Sequence, residues 1–384
     1  MNTQFQFGQI NLTLQRWPLN QPNHSLQAWD AADELLIDAV NTAATRFTAS
    51  HSRSPHLLLI NDSFGALSCA LATWQQTSST DSYLARQAVN YNRAANGLDN
   101  QHFTTIDSLA PLPADADIVV IKLPNNHSYL RFILSQLATI IRPETVILAA
   151  AKAKEINRNV LDIFEKQLGP AEASLAVKKC RLIRCQPKQG KLQPQFPLQW
   201  PLADTDFTLV NHANVFAREK LDLGARFLLQ HLPQDTAGQR IIDLGCGNGV
   251  LGLVILAQQP DCKLVFTDES YMAVASAQAN IELNLANSIS NAEFVVDDCL
   301  ASQPDQSADQ IICNPPFHQQ HTVTTHIATQ MFAQAKRVLK RGGRLRIVAN
   351  RHLNYQQQLQ RLFGHCQQLA ANPKFVILEA IKRS

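Results

Sequence analysis

Two stretches of this chain carry residue types that could do chemistry together. Residues 314–317 read Asn314-Pro315-Pro316-Phe317 and follow the apolar run Gln310-Ile311-Ile312-Cys313. Seventy-one positions before Asn314, another apolar run ends in Asp243-Leu244-Gly245-Cys246-Gly247-Asn248-Gly249. Those glycines permit a tight turn whose backbone N–H groups can approach a nucleotide cofactor. A ring amino group is a weak nucleophile, because its lone pair is delocalised. The Asn314 side-chain oxygen and the Pro315 carbonyl can each accept one of its N–H bonds. Gripping both hydrogens aims the nitrogen at a methyl sulfonium. The two prolines stiffen the turn, and Phe317 offers a face on which a flipped base can stack. No strong base is required, since the nitrogen becomes acidic once methylated. In this order the two stretches point to methyl transfer from S-adenosylmethionine onto an exocyclic or amide nitrogen.

Glycines alone do not single out that chemistry. Gly247-x-Gly249-x-x-Gly252 also fits a dinucleotide fingerprint, and Asp268 stands where a nicotinamide enzyme wants an acid. What separates the readings is the rest of the set: Asp243 before the glycines, Asp298 after a third strand, and the tetrapeptide after a fourth. His318 and His321 read as loop or substrate-contact residues.

These residues must be positioned by a regular frame. Short apolar runs (Leu57–Ile60, Ile118–Ile121, Val146–Ala150, Ile241–Leu244, Leu264–Thr267, Phe294–Val296, Ile311–Cys313, Leu345–Ala349) alternate with helical patterns at Leu26–Val40, Gly252–Gln258, Met272–Asn284 and Thr329–Leu339. Strands alternating with helices indicate an α/β fold with a doubly wound, mostly parallel sheet. Gly342-Gly343 reads as a helix-ending turn.

The chain also repeats itself faintly. Asn61, Asp81, Asp107 and Lys122 precede Asp243, Asp268, Asp298 and Asn314 by 182, 187, 191 and 192 positions, and Asn92 and Asn96 echo Asn280 and Asn284 at 188. An ordered, slowly drifting series points to tandem duplication of one domain. Residues 1–185 form the first copy, 186–203 a Pro-, Gly- and Gln-rich linker, and 204–384 the second. Gly65 alone survives of the first copy's glycines, with Ser63 and Leu67 in two of their places, and Lys122-Leu123-Pro124 replaces Asn-Pro-Pro. The first copy is therefore expected to be non-catalytic, bracing its neighbour and holding substrate.

Bulk properties set the limits. A chain of 384 residues, 45% hydrophobic and 17% charged, is a folded globular protein of two ordinary domains. No segment reads as a signal peptide or approaches the eighteen or so apolar residues of a membrane span, so no membrane association and a cytoplasmic location are expected. Eight cysteines without a Cys-x-x-Cys pair read as reduced core residues, and no metal is expected.

The tandem architecture, Asp243 to Gly249, Asn314-Pro315-Pro316-Phe317-His318, Asn214-Val215-Phe216-Ala217-Arg218, Leu26-Gln27-Ala28-Trp29 and Asn61 to Leu67 together resemble the bacterial ribosomal RNA guanine-N2 methyltransferases. The large-subunit type is the nearer match and the small-subunit type its relative. The resemblance covers nearly the whole chain. It implies two tandem Rossmann-like class I methyltransferase domains, the first without cofactor, and a 23S rRNA guanine as substrate. By motif match, Asp243, Gly245, Gly247, Gly249, Asp268, Asp298 and Asn314 are the expected S-adenosylmethionine contacts. Asn314, Pro315, Pro316 and Phe317 are the expected catalytic residues. Asp298 stands where relatives carry Asn.

Two runs free of acids support an RNA partner: Lys178, Lys179, Arg181, Arg184, Lys188 and Lys191, then Lys336, Arg337, Lys340, Arg341, Arg344, Arg346 and Arg351. Such clusters can neutralise phosphates. The same tetrapeptide logic fits 16S rRNA guanine, adenine N6 or a protein glutamine, and those alternatives stay open on the residues alone. Assembly as a monomer is the expectation.

Overall fold

In the computed structural model, which describes residues 2–19, 26–188, 195–316 and 322–383, the chain divides into two units, Met1–Gln195 and Phe196–Ser384. The first runs β1 (Gln4–Phe7), β2 (Ile10–Thr13), α1 (Ala31–Ser50), β3 (His56–Ile60), α2 (Ala66–Ala70), β4 (Gln75–Thr80), α3 (Tyr83–Ala95), β5 (Phe103–Asp107), β6 (Ile118–Lys122), α4 (His127–Leu137), β7 (Val146–Lys152), α5 (Arg158–Gln167), β8 (Ala171–Ala173) and β9 (Cys180–Cys185). The second runs β10 (Leu198–Pro201), β11 (Thr208–Asn211), α6 (Leu223–Leu229), β12 (Arg240–Leu244), α7 (Val250–Gln258), β13 (Lys263–Asp268), α8 (Tyr271–Asn284), β14 (Ala292–Val296), β15 (Ala308–Cys313), α9 (Thr322–Val338), β16 (Leu339–Asn350), α10 (Tyr355–Phe363), β17 (Cys366–Ala371) and β18 (Phe375–Ile381).

Both units build one seven-stranded sheet of the same order, β5-β4-β3-β6-β7-β9-β8 and β14-β13-β12-β15-β16-β18-β17. The first five strands of each are parallel, and the sixth, β9 or β18, runs antiparallel to both its neighbours, so the seventh points the same way as the first five. The central strands are apolar on both faces because helices cover both. In the second unit Ile242, Leu244, Ile311 and Cys313 enter one core, while Ile241 and Ile312 enter the other. The strand period of two is what sends neighbours to opposite faces.

Three expectations about elements need correction. The stretch 186–203 is not all linker: β10 lies inside it and pairs antiparallel with β11 in a two-stranded ribbon, where Pro201 at the strand end costs no internal ladder bond. Helix α1 starts at Ala31, not Leu26, because Asp30 accepts from the Ala32 and Asp33 N–H groups and Asp33 answers from the third position. Gly342-Gly343 lies within β16, where Gly342 N donates to Lys382 O and Lys382 N to Gly343 O. A Cβ on Gly343 would sit 2.9 Å from the Lys340 carbonyl, so close backbone approach, not helix termination, requires that glycine.

The repeat becomes exact in places. Asn92 grips Gln15 through both its backbone N–H and its carbonyl, Asn96 grips Thr13 the same way, and Asn92 also donates to Phe64 O. Asn280 and Asn284 treat Val210 and Thr208 identically, and Asn280 also donates to Asn248 O. One amide supplies both an acceptor and a donor, so two asparagines a helical turn apart can hold an edge segment as a strand would. Strand register also corrects the alignment. Ile60 pairs with Ile121 as Leu244 pairs with Cys313, so Gly65 answers Gly249, and both take the left-handed conformation at a helix N-cap. Asn61 and Ser63, not Ser63 and Leu67, therefore stand for Gly245 and Gly247.

Candidate active site

The parallel strands β12, β13, β14 and β15 deliver their C-terminal ends to one edge of the second sheet, and the expected site residues follow those ends. Past β12 the chain turns at once: Gly245 N and Cys246 N both donate to Thr267 O, at 2.8 and 2.9 Å. Gly249 caps α7 with φ +74, and a Cβ there would stand 2.7 Å from that of Ala277. Gly247 differs in kind. Its φ is +54, and a Cβ would meet nothing within 4 Å, so the turn keeps an open, side-chain-free surface there. Asn248 fastens the loop from below, its Nδ2 donating to Asn211 Oδ1 at 2.9 Å.

Three carboxylates stand on or just after the strands that reach this edge of the sheet. Asp268 ends β13; its Oδ2 accepts from Gly247 N and its Oδ1 from Ser270 N, each at 3.0 Å. Asp298 follows β14, accepts from Gln330 Nε2 at 2.8 Å, and is pushed up by burial. Asp243 is buried in β12 and accepts from Gly252 N at 3.0 Å through Oδ2. Burial first, and the charge of Asp268 second, push its carboxyl up to about 8. Its Oδ1 is buried without a partner among the described residues.

Asn314 leaves β15 beside β12. Its Nδ2 donates to Asp222 Oδ2 at 3.1 Å, while its Oδ1 is buried and has no partner among the described residues. Pro315 is buried. The Pro316 carbonyl accepts from the Tyr355 hydroxyl at 3.3 Å, and the buried Tyr355 ring meets Phe332 edge-on at 5.2 Å. Phe317, His318 and His321 lie outside the described residues.

Asp222 was not singled out from the sequence. It caps α6, its Oδ2 accepting from Ala225 N at 2.9 Å. An Asp before the apolar run Leu223–Leu229 is a readable helix start, and the repeat carried a stronger signal. Asp30 precedes Lys122 by 92 positions, as Asp222 precedes Asn314. In the first unit Lys122 Nζ sits 2.8 Å from both Asp30 and Asp33. A cation thus fills the place where the second unit presents an amide oxygen.

The residues fit S-adenosylmethionine. Gly247 leaves space for a ligand against the backbone, and Asp268 accepts the Gly247 N–H beside that space. The orphaned Asn314 Oδ1 is an acceptor awaiting a donor, and the orphaned Asp243 Oδ1 is a buried polar atom awaiting a partner. Among the described residues no three His, Cys, Asp or Glu side chains gather as a metal site would require, and all eight cysteines are unpaired.

The basic runs are less free than their spacing suggests. Arg344 and Arg346 both turn to the buried Glu379 on β18, and Arg346 also donates to His231 O. Lys340 pairs with Asp309, Arg337 with Asp305, and Lys178 with Glu34. Strand alternation sends part of a linear run inward to internal acids. Lys191 lies outside the described residues. A cavity of about 630 Å³ near the start of β16 is lined by Lys336, Arg337, Arg341, Lys382 and Arg383, of which Lys336 and Lys382 also donate to backbone carbonyls. Among the described residues no helix is long and apolar enough to cross a membrane.

Comparison with known proteins gives consistent matches. Residues 2–189 match the family model described as RLMG N-terminal domain, and residues 206–379 match the methyltransferase small domain. The chain is 48% identical to ribosomal RNA large subunit methyltransferase G of Pseudoalteromonas translucida (strain TAC 125), over 100% of this chain and 99% of that one. It is 48% identical to the protein of the same name from Klebsiella pneumoniae (strain 342), over 96% of each. Among solved structures, the T. thermophilus 16S rRNA N2 G1207 methyltransferase (RsmC), in complex with AdoMet and guanosine, superposes with a TM-score of 0.75 at 21% identity. The match covers 99% of this chain and 98% of that one, a likeness of fold.

Proposed function

The chain belongs to the family of ribosomal RNA large subunit methyltransferase G, and on that premise we propose that its second unit methylates the exocyclic N2 of a guanine in 23S rRNA, using S-adenosylmethionine. The observation that carries the reading is the buried, unpartnered Oδ1 of Asn314, one strand from the open glycine turn. S-adenosylmethionine, when bound, supplies a methyl group on a positively charged sulfur. Gly245, Gly247 and Gly249 hold the backbone in a tight left-handed turn that is open at Gly247. Asp268 and Asp298 are assigned the acceptors, and the buried Asp243 carboxyl is assigned a further hydrogen bond. Asn314 Oδ1 and the Pro315 carbonyl each take one N–H of the guanine amino group and direct its lone pair. Phe317 is assigned the stacking face for the flipped base. The extra proton leaves after transfer, so no base of high strength is required.

The first unit is assigned RNA holding and bracing. Its strand-four residue is the ion-paired Lys122, and Ser63 replaces the open glycine, which supports a domain without the reaction. The cation-lined cavity near the start of β16 supports contact with RNA phosphates.

The test is transfer from labelled S-adenosylmethionine to purified, unmodified 23S and 16S rRNA, followed by nucleoside analysis. Label in N2-methylguanosine from 23S rRNA is expected. Label in 16S rRNA alone, in methyladenosine, or only in protein would overturn the substrate assignment.

A further inference from the structure

We infer that Asp222 is a positioning residue for the reaction: it fixes the Asn314 amide so that Oδ1, and not Nδ2, faces the substrate amino group. The inference rests on the function proposed above and deepens it.

A primary amide has two ends of similar shape and opposite hydrogen-bonding sense. An Asn free to flip would present donors to a donor for part of the time, and would then repel the group it has to hold. A carboxylate is acceptor-only, so Asp222 selects one end: its Oδ2 takes Nδ2–H at 3.1 Å and leaves Oδ1 buried and open. Asp222 is itself fixed, because the same oxygen takes Ala225 N at 2.9 Å at the start of α6. A backbone element thereby dictates the orientation of a side chain 92 positions further along.

The first unit supplies an independent observation. There the N-cap of α1, Asp30, reaches the residue at the end of β6, Lys122, over the same 92 positions. Both copies keep a helix-capping aspartate in contact with the residue that follows or ends the fourth strand. Only the nature of that residue differs, an amide in one copy and a cation in the other. The capping aspartate is thus a feature of the duplicated domain, and the second unit uses it to orient an amide.

The test separates cap from contact. Serine is also a good N-cap, but its hydroxyl is too short to reach Asn314, so Asp222→Ser should keep the fold while freeing the amide. Misplacement of a reacting group by about 1 Å can cost about a hundredfold, and kcat for methyl transfer is expected to fall roughly 10- to 100-fold. KM for RNA and affinity for S-adenosylmethionine should be unchanged. Asp222→Asn keeps an acceptor in place and should restore kcat to within a few-fold. On an Asn314→Ala background, Asp222→Ser should cost nothing further, since the residue acts through Asn314. Wild-type kcat in Asp222→Ser, equal loss in Asp222→Asn, or additive losses in the double variant would each overturn the assignment. If the wild-type protein methylates no rRNA, the function fails separately. The positioning is then read from the Asn314 side-chain amide signals by NMR, which should be exchange-protected in the wild type and Asp222→Asn and unprotected in Asp222→Ser. Equal protection in all three sinks it.

Discussion

Replacing Asp243 by Asn should change how stability depends on pH. In the folded protein, burial first and Asp268 second push the Asp243 carboxyl up to about 8, from an ordinary value of 3.8. Between those values the folded state holds a proton that the unfolded chain has released. Stability contributed by this group is therefore full at low pH and is lost as pH rises toward 8. From pH 5 to about 8 there are roughly three units, each worth about 1.36 kcal/mol, or about 4 kcal/mol in all. Asn cannot ionise, yet its oxygen can still accept from Gly252 N, which now bonds Asp243 Oδ2 at 3.0 Å. Comparing variant with wild type cancels the other titrating groups. Urea unfolding at pH 5, 6.5 and 8.5 should show the variant gaining on the wild type by up to about 4 kcal/mol across that range. A difference between the two proteins that stays flat within about 0.5 kcal/mol would refute the reasoning, because it would mean that Asp243 is ionised throughout. Asp243→Asn should also weaken S-adenosylmethionine binding, measurable by calorimetry, so stability and function move in opposite directions.

Two further substitutions follow from the same geometry. Asn314→Lys recreates in the second unit the pairing that Lys122 makes with Asp30, without the second acid, Asp33, whose place Ala225 takes. It should fold with a lowered melting temperature and lose methyl transfer at least a hundredfold, and activity above a tenth of wild type would count against the role of Oδ1. Gly252→Ala places a Cβ 2.3 Å from Phe266 Cε1, on a ring stacked against Phe294 at 5.2 Å. Alanine gains about 1 kcal/mol of helix propensity, but overpacking costs about 1–3 kcal/mol, so a lower urea midpoint is expected, and a raised one would show that the ring can give way.

Much of the candidate site was legible because the signals are local. Asp243, the three glycines and Asn314-Pro315-Pro316 each follow an apolar run, and a parallel sheet brings strand ends to one edge wherever neighbouring strands share it. The duplicated order was legible too, since Asn92 and Asn96 repeat Asn280 and Asn284 at constant offset. The charge runs misled because sequence position says nothing of which neighbouring strand holds an acid: Glu379 on β18 takes up two arginines of β16.

By itself, then, the sequence determined the chemistry classes, the strand–helix alternation and the duplication, all properties of periodicity and residue type over short spans. Only the tertiary structure decided which glycines correspond, because Asn61 shares the left-handed backbone of Gly245, with φ +64 against +68, though no side chain says so. Only it decided that Lys122 is locked by Asp30 and Asp33, and that Asp222 turns the Asn314 amide. Those outcomes depend on distances between groups about ninety positions apart, which close only when the sheet and its covering helices pack.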